Sequence, residues 1–142
     1  MQHDEMGDFK KLHVWQKAHQ LALSAHRVAV RIRGAEYTSV RSQIIRAAMS
    51  IPANIVEGRD QKTEPMFARF LRIALASTSE LEYHLIAARD ISLISQSEYL
   101  LVLSELVEVR MMLHGLLRRL ERPEEGKEES KKERAEARTV VS

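Results

Sequence analysis

Cysteine is absent from the 142-residue chain, which excludes disulfides, thiol nucleophiles and thiolate metal sites. Proline and glycine are scarce, at three and five residues, so helices are expected over a turn-rich β fold. Aromatic residues make up only 5%, and the core must come from Leu, Ile, Val and Ala. No apolar run approaches the roughly 18 residues that a membrane-spanning helix needs. Met1 to Lys11 is polar and lacks the apolar centre of a signal peptide. A soluble, cytoplasmic protein with no membrane partner is the expectation. Glycine-rich phosphate loops, GxGxxG, HExxH and the Glu-x-x-His pairs of di-iron bundles are missing as well.

What is present is 44% hydrophobic and 30% charged, a normal balance for one globular domain. The net charge of +2 is uneven: the Glu- and Lys-rich stretch 123–142 is weakly acidic, and the rest is basic. We divide the chain into a flexible N-terminus (1–8), a helical domain (9–122) and a charged tail (123–142), a disordered segment or frayed helix outside the fold.

Apolar residues recur at spacings of three and four in four segments. Trp15, Ala18, Ala22, Ala25, Ala29 and Ile32 mark a helix from about Phe9 to Arg33, with alanines that allow close helix approach. Ile44, Ala47, Ala48, Ile51 and Ile55 mark a second, capped by Thr38 or Ser39 and closed by Gly58 in a left-handed position. Phe67, Leu71, Ala74, Thr78, Leu81, Leu85 and Ala88 mark a third, with Thr63 as its cap and Pro65 in its first turn. The fourth opens with the capping box Ser95-Gln-Ser-Glu98, carries Val102, Leu106, Val109, Leu113, Leu116 and Leu120, and stops at Pro123. Four such helices with short connections predict an all-α, antiparallel up-down four-helix bundle. Leu103, Val107 and Leu117 lie off the main stripe of the fourth helix, which points to an oligomer interface.

Candidate chemistry is sparse. Six histidines invite a metal reading, but their spacing fits surface and helix-edge positions better. Serines lack a strand-turn-helix elbow. No catalytic residue, metal site or cofactor is assigned, and no enzyme is expected. The basic residues carry more. Arg41, Arg59, Lys62, Arg69 and Arg72 fall around the second and third helices, near one end of the bundle. Lys10, Lys17 and Arg31 fall seven or fourteen apart on the first helix. Such a distribution suits phosphate contacts without base reading; a merely solvated surface is the plainer alternative.

The segment "SIPANIVEG", Ser50 to Gly58, puts Pro52 and Asn54 inside a helix, where both are unfavourable. With its flanks it also carries a resemblance. "FKKLHVWQKAHQLA", "RSQIIRAAMSIPANIVEG" and "FARFLRIALASTSELEYHL" are similar to segments of the four-helix bundle family of proteins encoded in intervening sequences of 23S ribosomal RNA genes. The pattern residues are Gln43, Arg46, Ala47, Ser50, Ile51, Asn54, Ile55, Glu57 and Gly58, then Phe70, Leu71, Ala74, Ser77, Glu80 and Leu81. Ala76 departs from it, since the family often has Gly there. The resemblance covers Phe9 to Leu120. It implies a ring-shaped homo-oligomer, a pentamer, and a relation to the accessory variability proteins of diversity-generating retroelements, which partner a reverse transcriptase and its RNA.

On these grounds Arg46, Asn54, Glu57, Ser77 and Glu80 are expected to form a polar network between the second and third helices, with Pro52 adding a bend. The functional expectation is a non-enzymatic oligomer that binds RNA or structured nucleic acid through a basic surface and serves a reverse transcriptase. The alternative is a protein-protein adaptor.

Overall fold

The computed structural model describes the backbone of residues 9–141 and the side chains of 9–121 and 132–139; the expected flexible segment 1–8 lies outside the described residues. A short 3₁₀ turn, Phe9–Lys11, leads into α1 (His13–Val30). A second, Ala35–Tyr37, leads into α2 (Thr38–Arg59), followed by α3 (Glu64–Asp90) and α4 (Gln96–Val141). No strand occurs among the described residues. Each helix packs on its neighbour in the chain, and α4 closes the circuit against α1. The connections are short, so neighbours run antiparallel.

The core follows the apolar stripes. Leu21, Ile44, Ile51, Ile55, Leu71, Leu81, Leu85, Leu106 and Leu113 are fully buried. Ala18, Ala22, Ala25 and Ala29 of α1 are buried in the same core as Ala47 and Ala48 of α2, small side chains that let helices approach closely. Thr78 is buried; it donates to the Leu75 carbonyl and accepts from Arg110 Nε. Arg110 also holds Glu82 at 2.7 Å, which fixes α4 against α3.

The expected caps of α3 and α4 are both formed. Thr63 Oγ1 accepts from Met66 N at 3.3 Å. Ser95 Oγ accepts from Glu98 N, and Glu98 Oε1 accepts from Ser95 N, a reciprocal capping box.

Several local expectations change. The chain makes a 3₁₀ turn before α1, and the helix ends at Val30. Tyr37 is the N-cap of α2, while Thr38 lies inside the helix and donates backward to the Ala35 carbonyl. Gly34 is the residue that needs glycine's freedom, at φ 110° in the turn between α1 and α2. Gly58 does not: it lies inside α2 and lacks a positive φ. A Cβ there would stand 2.8 Å from Phe67 Cδ2 and 2.9 Å from Phe70 Cβ, so Gly58 is there because α3 crosses close to it. Leu117 is buried and Leu103 half-buried, so only Val107 of that trio remains well exposed. Beyond Pro123, where the helix was expected to stop, the backbone stays helical to Val141. The stretch is rich in Glu, Lys, Arg and Ala, all favourable in helices, and its described side chains, residues 132–139, are exposed.

Candidate nucleic-acid interface

The motif that marks α2 builds a clasp. Ser50 Oγ and Ser77 Oγ lie 2.8 Å apart across the α2–α3 contact. Asn54 Nδ2 donates to the Ser50 carbonyl at 2.8 Å and to Ser50 Oγ at 3.0 Å. Ser77 Oγ also reaches the Ile73 carbonyl at 3.1 Å. This is a satisfied network between two close helices, and it fixes their register. It is smaller than expected. Arg46 is exposed and, among the described residues, donates only to Gln43 Oε1. Glu57 is exposed, and its described bond uses only its backbone carbonyl, which accepts from Gln61. Glu80 is exposed and faces His84 at 3.6 Å. These three lie on the outside of the bundle because their helical positions rotate away from the α2–α3 seam.

The clasp and Gly58 bring the C-terminal end of α2 and the N-terminal end of α3 together, and with them the cations of that connection. Lys62 and Arg69 are exposed, and Arg59 is half-buried. None of them is in an ion pair among the described residues. Arg72 stands beside them but pairs with Glu121 of α4. That pair shows which part of α4 reaches this end, and it places the exposed Arg118 and Arg119 there too. Antiparallel packing brings the start of α1 to the same end, and Lys10 lies in the 3₁₀ turn that contacts α2. A groove of about 340 Å³ between α1 and α4 is lined by Leu12, His13, Val14, Met112, Gly115, Leu116 and Arg119.

The remaining sequence candidates are elsewhere. Arg41 opens α2, whereas Arg59 closes it, about 27 Å away at 1.5 Å per residue. Arg41 is also occupied: its guanidinium donates to the Ile32 and Gly34 carbonyls at 2.8 and 2.9 Å and to Thr38 Oγ1 at 3.0 Å. It therefore closes the α1–α2 turn and does not join the cluster. Lys17 pairs with Glu108 at 3.3 Å. Arg31 caps the far end of α1, so Lys10, Lys17 and Arg31 form no common patch. Arg118 and Arg119 were missed in the sequence because only the pairing of α4 with α3 brings them in; the antiparallel register was the available signal.

A family model for 23S rRNA-intervening sequence proteins matches residues 10–115. The chain belongs to that family. A solved structure from the S23 ribosomal protein family, a protein of unknown function from Bacteroides thetaiotaomicron VPI-5482 at 1.70 Å resolution, superposes with a TM-score of 0.70. It is 24% identical and spans 74% of this chain and 98% of its own, a likeness that speaks for the fold. Comparison with curated proteins returns no match. In this intervening-sequence protein the matched region holds the clasp, Arg59, Lys62, Arg69 and Arg72, whereas Arg118 and Arg119 lie outside it. Among the described residues no cluster of His, Asp or Glu is arranged to hold a metal ion, and no helix is long and apolar enough to cross a membrane.

Proposed function

We propose that this protein is a non-enzymatic homo-oligomer, a ring of the kind the family resemblance implies, that binds nucleic acid at the α2–α3 end of the bundle. One observation carries the reading. Arg59, Lys62, Arg69, Arg118 and Arg119 gather there without ion-pair partners among the described residues, while Glu57, Asp60 and Glu64 are the unpaired carboxylates nearby. Cations free of internal partners are the ones available to phosphates. A ring multiplies a modest surplus, because each copy presents the same end.

Exposed apolar residues on α4 support assembly. Leu100, Leu101, Val107 and Met111 are between 40% and 69% exposed, and such patches mark interfaces. Light scattering at micromolar concentration is expected to give a mass several times 16.3 kDa; the monomer mass would remove the ring from the proposal.

The binding test uses a structured RNA at about 50 mM salt, where counterion release favours phosphate contacts. Wild-type protein is expected to bind, and the triple variant Arg59→Glu, Lys62→Glu, Arg69→Glu to lose most of that binding with its circular dichroism unchanged. Failure of the wild type to bind would favour the second reading, a protein adaptor that docks a partner such as a reverse transcriptase on the apolar α4 face.

A further inference from the structure

At the basic end the chain also presents stacked aromatic rings. Trp15 and His19 of α1 lie one turn apart with ring centroids at 5.1 Å and planes only 5° from parallel. Phe9 meets Trp15 edge-on, with centroids 5.0 Å apart. Trp15 is half-buried against the core, whereas His19 is exposed. The indole thus covers one face of the imidazole, and the imidazole itself stays exposed. Lys10 follows Phe9 directly and lies outside any ion pair among the described residues. Trp15 lies in the first turn of α1, so the stack begins at the end that holds Arg59 and Arg69.

A parallel ring stack, exposed at His19 and beginning at the end of the bundle that holds the cations, matches the needs of unpaired nucleobases. Bases stack on aromatic planes while their phosphates are neutralised alongside. A duplex hides its base faces and offers phosphates and groove edges, with no face to stack on. We propose that the Phe9–Trp15–His19 cluster is a stacking platform for single-stranded nucleic acid, with a base resting on the outer face of His19 and extending the Trp15–His19 stack. This rests on the reading of the basic end as the phosphate-binding surface and adds a ligand class to it. The edge-on Phe9 braces the indole, and Trp15 in turn holds the imidazole flat. Specificity for a particular base is not expected, since every base has a π-face.

Trp15 is the only tryptophan in the chain, so intrinsic tryptophan fluorescence reports on this cluster alone. The experiment titrates the full-length protein with a single-stranded oligouridine of about 12 nucleotides, a length within the usual footprint of such sites. A duplex of equal length serves as the comparison. The single strand is expected to quench Trp15 fluorescence, and the duplex to bind without quenching. His19→Ala should weaken single-strand binding about tenfold, in line with the loss of one base–aromatic stack, and leave duplex binding unchanged. His19→Phe should restore the single-strand affinity. His19 is exposed, so neither substitution disturbs the core, and circular dichroism checks that. If both ligands bind with no quenching and no effect of His19→Ala, the platform is overturned and the basic-end reading stands. If neither ligand binds the wild type, both fall.

Discussion

The two ends of the bundle are both rich in arginine and use most of it differently, although Arg31 and Arg33 at the α1–α2 end are exposed and in no ion pair among the described residues. At the end where α1 turns into α2, Arg41 is consumed by the carbonyls of Ile32 and Gly34. On the same side Arg89 lies 4.3 Å over the Tyr99 ring and donates to Asp90. At the opposite end Arg59, Lys62, Arg69, Arg118 and Arg119 have no ion-pair partner among the described residues. Charge counts alone therefore do not locate a binding surface. Cations whose acceptors are supplied by a turn or a neighbouring ring hold the fold. Those left without acceptors are available to a ligand.

Substitutions at the two ends should separate these roles. The largest effect is expected at the seam that assembles the free end. Gly58→Leu must push Phe67 and Phe70 aside and should cost about 3 kcal/mol in chemical denaturation, the upper range for overpacking. A fully stable Gly58→Leu protein would mean that close approach of α2 and α3 is not what builds that end. Arg41→Ala comes next, at about 2 kcal/mol, because it abandons two carbonyls and a hydroxyl at one turn. Its nucleic-acid affinity should be unchanged. Ser77→Ala should cost about 1 kcal/mol, since Ser50 keeps Asn54 as a partner. Smallest is Arg69→Ala, within about 0.5 kcal/mol in the same assay, yet it should weaken RNA binding. Arg41→Ala and Arg69→Ala therefore dissociate stability from binding in opposite directions.

Much of the fold was legible because its signals are local. Thr63 and the Ser95–Glu98 box are read from spacing within one turn, and both caps form. The stripes of α1 to α4 give the core by the same logic. The family motif was legible too, and the match over residues 10–115 bears it out. What failed depends on contacts between elements. A glycine near a helix end serves equally for a left-handed turn or a close crossing, and only the position of Phe67 decides for Gly58. Arg41 looked like a surface cation because its acceptors are backbone carbonyls, which no side-chain pattern reveals. Glu57, Arg46 and Glu80 belong to the motif but point outward, so motif membership did not tell clasp from surface. Pro123 read as a stop, but the backbone stays helical beyond it.

On the proposed reading, the free end of the bundle contacts phosphates, and its arginine content at large does not. The most direct measurement is the slope of log affinity for RNA against log salt concentration. Removing one cation that neutralises a phosphate should make that slope shallower by roughly 0.7 to 0.9. The triple variant Arg59→Ala, Lys62→Ala, Arg69→Ala is therefore expected to lower its magnitude by about 2 or more, while Arg41→Ala leaves it at the wild-type value. Equal slopes for the wild type and the triple variant would refute the phosphate role of this end, and so would a drop for Arg41→Ala as large as that for the triple.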